Sequence, residues 1–320
     1  MKMGAMEVKE LKLTTDTLRL KDPQRVCKEI ERFIQNQVRE LHRDGVILGL
    51  SGGVDSAVVA YLCTRAIEAD KVSGLYMPEK DSDQRHGEDA RRMAEILGIT
   101  FEVVDITPIL QILGIYDLSP MKHLNLLPSR KLRGLITNSV VQTLEKLTSR
   151  DLFAESRRGG EDKLIAGVTA YVNVKHRMRM TILHLIADHK NLCTVGTANK
   201  TEFLTGVFVK FGIDGVADVM PILPFYKSQV RQLAKYLGVP EDIIEKPADP
   251  DLFPGFNDKD KFLGDKETLD LILLGLEKNL SSAEITATLG VDLKIVERVQ
   301  TLIENSKHMR ESPYILKFSG

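Results

Sequence analysis

The sequence predicts an α/β protein built on a doubly wound parallel sheet, with a small helical region at its C-terminal end. Three observations predict it. Short apolar runs alternate with helix-spaced segments over residues 22 to 104, an early run leads through a serine and glycine loop straight into a helix, and residues 265 to 320 are helical in pattern.

Taken in order, residues 22 to 43 set Val26, Ile30, Phe33, Ile34, Val38 and Leu41 at helical spacing, behind Asp22 as N-cap and Pro23 at the first helical position. Val46 to Leu50 is short, apolar and bounded by Asp44-Gly45 and Ser51-Gly52-Gly53, the profile of a strand buried on both faces. A helix from about Asp55 to Ala69 is expected next. A strand at Val72 to Met77, a helix at Gln84 to Leu97 closed by Gly98, and a strand at Thr100 to Val104 follow. Ligands of such sheets bind beyond the carboxyl ends of the strands, where the loops Ser51–Ser56 and Pro78–Asp83 emerge.

Regularity falls from Ile112 to Gly160, where basic and small residues flank one helical stretch near Leu135 to Leu147, so an insertion is expected at about 112–170. Beyond it, Tyr171 to His189 reads as a long helix, Leu192 to Val195 as a strand, and a helix opens near Asn199. Prolines at 221, 224, 240, 247, 250 and 254 make Ala248 to Gly264 an irregular loop. The expected organisation is an α/β domain over 22–264 and a helical region over 265–320 packed on it.

Composition narrows the function. With 320 residues, 43% hydrophobic and 28% charged, and a net charge of −1, the chain has neither the profile of a disordered segment nor a broadly basic nucleic-acid surface. Cys27, Cys63 and Cys193 are widely separated and form no CxxC, which argues against zinc, an iron–sulfur cluster or a disulfide framework. No apolar run approaches the roughly 18 residues of a membrane span, and the N-terminus lacks a signal-peptide core, so a cytoplasmic protein is expected. The stretch 281–303 has helix-turn-helix spacing with Gly290 in the turn, but Asp292, Lys294, Glu297 and Arg298 leave its second helix nearly neutral, which favours packing over DNA reading. Arg130-Lys131, Arg133 and Arg157-Arg158 read as solvated loop charges.

Chemistry concentrates in Gly49-Leu50-Ser51-Gly52-Gly53-Val54-Asp55-Ser56. A strand leading through glycines into a helix aims backbone amides and a helix N-terminus at one point, where a polyanion can be held. Ser51 and Ser56 add hydroxyls, while the GK[ST] ending of a Walker A loop is absent. These residues resemble the SGGxDS signature of the N-type ATP pyrophosphatases. The resemblance implies a Rossmann-like fold of the adenine-nucleotide α-hydrolase type, ATP cleavage between the α- and β-phosphates, and a loop that grips the leaving pyrophosphate. Asp55, in the first helical turn, would hold Mg²⁺.

Further blocks resemble the NAD synthase family over about 25 to 313 apart from the insertion: NVKHRMRM (173–180), VGTANKTEFLTGVFVKFG (195–212), DGVAD (214–218), YKSQVRQLAKYLGVP (226–240) and SKHMRESP (306–313). That resemblance implies a Mg²⁺-dependent ligase that adenylates the nicotinate carboxylate of deamido-NAD with ATP and displaces AMP with ammonia. It implies ATP contacts from Gly49 to Ser56, Thr197 and Lys227, and Mg²⁺ carboxylates at Asp55 and Glu202. It also places Arg177, Lys210, Asp218 and His308 on deamido-NAD, with Phe208 on the same segment, and Asp55, Lys227 and Ser51 in the catalytic roles. Lys227 would supply the ammonium that the loop lacks. Arg177 and Arg179, two apart on a helix, cannot share one face, and Arg177 is the one expected in the site.

A homodimer follows from the same resemblance. So does ammonia taken free or from a separate glutaminase, since this length leaves no room for the glutaminase domain of glutamine-dependent relatives. Departures from the family pattern fall at Met309 within His308-Met309-Arg310, at Asp249 where a Ser or Thr is usual, and at Lys210-Phe211-Gly212-Ile213-Asp214-Gly215, which carries an extra residue. They motivate an alternative, an amide ligase of the same class acting on another carboxylate. A non-enzymatic nucleotide-binding protein is a third reading, disfavoured by the joint presence of Asp55, Glu202 and Lys227.

Overall fold

The computed structural model describes residues 13–118, 121–124, 126–127, 129–148, 150–213, 215–247, 266–311 and 313–316. Asp214, Asp249 and the loop expected at 248–264 lie outside the described residues.

The first helix, α1 (Pro23–Glu40), starts as expected, with the Asp22 carboxylate accepting the Arg25 N–H at 2.9 Å and Pro23 at its first position. The strand β1 (Gly45–Gly49) follows, then α2 (Val54–Ala66), β2 (Val72–Tyr76), α3 (Gln84–Leu97) and β3 (Thr100–Val103). Gly98 ends α3 with φ 65°, a left-handed conformation that glycine adopts freely. Beyond come α4 (Thr107–Ile112), α5 (Met121–Leu124), α6 (Arg130–Thr148) and α7 (Leu152–Arg158).

The long helix α8 (Lys163–Lys190) begins before the expected Tyr171, because Asp162 caps it by accepting the Leu164 and Ile165 N–H groups at 2.9 and 3.2 Å. Next are β4 (Leu192–Val195), α9 (Lys200–Thr205), α10 (Lys227–Leu237) and α11 (Glu241–Ile244), and the C-terminal region contributes α12 (Lys266–Glu277), α13 (Ser282–Leu289), α14 (Leu293–Asn305) and α15 (Lys307–Arg310). Among the described residues no helix is long and apolar enough to cross a membrane.

Four strands form one parallel sheet in the order β3-β2-β1-β4 among the described residues, with Val46 opposite Val72 and Cys193. This is an α/β, Rossmann-like fold. Alternation sorts the strand side chains by face. Val46, Leu48, Val72, Cys193 and Val195 join a core with α1, α2, α3 and α10, while Ile47, Leu75 and Leu192 join a second core with α4 and α8. A central strand buried on both faces explains why β1 is apolar throughout. A third core lies among α7, α12, α13 and α14, so the helix-turn-helix-like stretch is occupied in packing: Ile285, Val296, Val299 and Leu302 are fully buried.

Candidate active site

The strand order places a reversal beside β1. The chain steps outward to β2 and β3, then returns to β4 on the other flank of β1, so the carboxyl ends of β1 and β4 border the crevice where such sheets bind ligands. Two helices begin at that mouth, α2 after β1 and α9 after β4.

The loop between β1 and α2 is held in shape by its own serines. Ser56 is buried, its hydroxyl accepting the Ser51 N–H at 3.2 Å and donating to the Gly53 carbonyl at 3.1 Å, and the two serine hydroxyls lie 3.0 Å apart. Leu50 and Val54 point into the core. Gly52 takes φ 72°, and a Cβ there would strike the His86 carbonyl oxygen, so only glycine fits. The Lys246 ammonium donates to the Gly52 carbonyl at 3.3 Å and to Asp89 at 2.6 Å, seating the loop against α3.

Across the crevice, Asp55, Glu202 and Lys227 meet. The Lys227 ammonium pairs with Asp55 Oδ2 and lies 3.2 Å from Glu202 Oε1. Burial works against its charge, but the two carboxylates outweigh burial and hold the ammonium above the ordinary lysine range. Asn199, which carried no expected role, joins the two sides: its Nδ2 donates to Asp55 Oδ1 at 2.9 Å and its Oδ1 accepts the Glu202 N–H at 3.0 Å. The signal was present in Asn199-Lys200-Thr201-Glu202, a capping box that starts α9 and orients Glu202. Thr197 lies in the short turn between β4 and Asn199.

The other expected residues gather along the segment that follows α9. Arg177 Nε donates to the Lys210 carbonyl at 3.3 Å, and Lys210 Nζ donates to the His308 carbonyl at 2.6 Å, so these three residues lie side by side. Arg179 instead donates to the Met77 carbonyl at 2.9 Å, and Lys175, one helical turn earlier, pairs with Glu79 at 2.7 Å. The two arginines do face apart. Phe208 is buried and stacked on Phe203 with ring centroids 5.1 Å apart. Asp218 Oδ2 accepts the Thr194 N–H and hydroxyl at 2.7 and 2.9 Å, which fixes it to β4. Arg310 turns inward onto the Phe203 and Leu204 carbonyls at 3.3 and 2.9 Å. Phe211 takes a left-handed φ of 64°, and Ile213 lies so close to Gly49 that a Cβ there would come within 2.7 Å of it.

A glycine- and serine-rich loop at a helix N-terminus, faced by two carboxylates and a lysine at the switch point of a parallel sheet, defines an α/β enzyme acting on a nucleotide. The family model for NAD synthase matches residues 26–126 and 145–313. The NH(3)-dependent NAD(+) synthetase of Thermotoga maritima is 40% identical over 283 residues, covering 88% of this chain and 95% of that protein. Its counterpart from Thermotoga neapolitana is 39% identical over 282 residues, covering 88% and 92%. The solved NH3-dependent NAD synthetase of Campylobacter jejuni superposes with a TM-score of 0.64 at 26% identity, covering 93% of this chain and all of that one (100%). The chain therefore belongs to the NAD synthase family and is an ATP-dependent carbon–nitrogen ligase. The matched ranges leave out 127–144, which is most of α6 and narrower than the insertion read from the sequence.

Proposed function

We propose that this chain makes NAD from deamido-NAD and ammonia, adenylating the nicotinate carboxylate with ATP. The observation that carries the reading is the convergence of Asp55, Glu202 and Lys227 beside the Gly49–Ser56 loop. A carboxylate oxygen of the substrate attacks the α-phosphorus, the bond to the β-phosphate oxygen breaks, and pyrophosphate leaves toward the loop. The loop amides and Ser51 receive that charge, and Lys227, already charged and held in place, adds a fixed cation. Ammonia then attacks the acyl carbon, AMP departs with the substrate's oxygen, and a proton is lost to give the amide.

The donor set fits Mg²⁺. Asp55 and Glu202 converge on one cationic atom from two helices, and Mg²⁺ takes hard oxygens from one or two carboxylates and completes its shell with phosphate oxygens and water. Mg²⁺, when bound, supplies neutralisation of the phosphate charge. Arg177 and Lys210, with His308 and Asp218, are the proposed seat of the dinucleotide, and Thr197 and Lys227 of the ATP phosphates. A homodimer, a separate glutaminase as ammonia source and a cytoplasmic setting belong to the same proposal.

The test supplies ATP, Mg²⁺, deamido-NAD and ammonium, and quantifies products. NAD, AMP and pyrophosphate in equal amounts are expected. AMP formed only with a different carboxylate transfers the reading to another amide, and ATP bound but never cleaved refutes it.

A further inference from the structure

Asp270 sits in the middle of α12, is wholly buried, and belongs to the C-terminal region rather than to the sheet domain. Its Oδ1 accepts the Thr201 hydroxyl at 2.5 Å and its Oδ2 accepts the Ser228 N–H at 2.8 Å. The Thr201 oxygen in turn accepts the Lys227 N–H at 2.9 Å. The first two backbone donors of α10, which no turn of that helix can satisfy, are thus met by Thr201 on α9 and by Asp270. Those two helices carry Glu202 and Lys227.

A helix as short as α9 is marginal by itself even with its capping box, so its position depends on contacts from outside it. The C-terminal region grips its other end too, through Arg310 on the Phe203 and Leu204 carbonyls.

We propose that Asp270 is a positioning residue of the active site, joining the first turns of α9 and α10 so that the Lys227 ammonium stands between Asp55 and Glu202. This rests on the function proposed above. Burial raises the Asp270 pKa above the usual range, against the hydrogen bonds from Thr201 and Ser228 that lower it. An uncharged isostere relieves that penalty and gives up the pairing of both bonds with a charged acceptor.

The experiment measures steady-state NAD formation by Asp270→Asn, Lys227→Ala and the double variant against the wild type, with thermal midpoints for all four. Asp270→Asn is expected to melt within a few degrees of wild type, keep its KM for ATP within about twofold and lose roughly 10- to 100-fold in kcat, the scale of a slightly misplaced catalytic group. In the Lys227→Ala background the same change is expected to alter the residual rate by less than about twofold, since its effect runs through Lys227. Multiplying losses in the double variant, or an unchanged kcat in the single one, overturns the inference while the proposed function stands. If Asp270→Asn does not fold, Thr201→Val removes the bridging hydroxyl without touching charge, and its kcat loss must likewise vanish in the Lys227→Ala background. A wild type that makes no AMP refutes the proposed function and the positioning role together.

Discussion

Two lysine–carboxylate clusters lie at the carboxyl ends of neighbouring strands, and they behave oppositely. Beyond β1 and β4, Lys227 serves two carboxylates, Asp55 and Glu202, whose side chains remain 18% and 28% exposed. Beyond β2, Lys175 and Glu79 are sealed at 0% exposure, with Tyr116 donating to Glu79 at 2.7 Å, Tyr171 donating to Asp81 at 3.0 Å and Arg133 paired to Asp81 at 2.8 Å. Through the contacts just named, the first cluster sets two carboxylates against one ammonium and opens to solvent, whereas the second sets two carboxylates against two cations and is closed.

Their lysines show the contrast directly. Burial pulls the Lys175 ammonium below the ordinary lysine range despite Glu79, whereas Asp55 and Glu202 overcome burial at Lys227 and hold it above. An open cluster suits the metal and the nucleotide proposed for it. A closed one fixes the loop after β2 and the helix α8 that carries Arg177, and contributes architecture.

The largest expected effect lies in the open cluster. Asp55→Ala should cut NAD formation by at least about 100-fold while the thermal midpoint stays within a few degrees, because its loss removes charge from a site rather than packing from a core. Activity near wild type would reverse the assignment of the two clusters. Lys227→Arg should lose nearly as much as Lys227→Ala, since a planar guanidinium does not replace a point ammonium between two carboxylates.

The closed cluster should answer in stability instead. Lys175→Met strands Glu79 in the interior and is expected to cost about 3–5 kcal/mol in denaturant unfolding, with kcat of the folded fraction changed only modestly. Lys175→Met combined with Glu79→Leu should recover much of that loss. A kcat collapse in the folded double variant would place the closed cluster in the chemistry.

Smallest is a pH effect in the cores flanking both. Burial pushes the Cys27 thiol up to about 11, and burial followed by the nearby Asp218 pushes Cys193 to about 12, both from an ordinary 9.0. Their folded values are raised, so the stability they contribute is whole below pH 9 and is lost as pH climbs through 9 to 12. Thermal midpoints should therefore be flat from pH 7 to about 8.5 and fall beyond it, with slow thiol labelling of the native protein at neutral pH.

The two clusters also differ in how readable they were. The open one was legible because Asp55 lies in the contiguous loop Gly49 to Ser56 and the family-like blocks contain Glu202 and Lys227. Strand and helix order were equally plain, since a sheet buried on both faces requires unbroken apolar runs such as Val46 to Leu50. The closed cluster draws Glu79, Asp81, Tyr116, Arg133, Tyr171 and Lys175 from four separate segments, and nothing in local spacing links them. Asp270 is hidden for the same reason, an acid beside the apolar run Leu271 to Leu274 whose partners lie on α9 and α10. Asn199 was within reach, because a capping box is a local pattern. The early start of α8 rests on Asp162 as its cap, just after the helix-breaking pair Gly159-Gly160.

The most direct test of the open cluster as an adenylating centre follows one oxygen atom. Deamido-NAD carrying ¹⁸O in both oxygens of its nicotinate carboxylate is turned over with ATP and ammonium, and the AMP is weighed by mass spectrometry. The expected result is one ¹⁸O in the phosphoryl group of each AMP, because the carboxylate oxygen that attacked the α-phosphorus leaves with it. Unlabelled AMP alongside labelled NAD formation, or label in the pyrophosphate, would contradict the account.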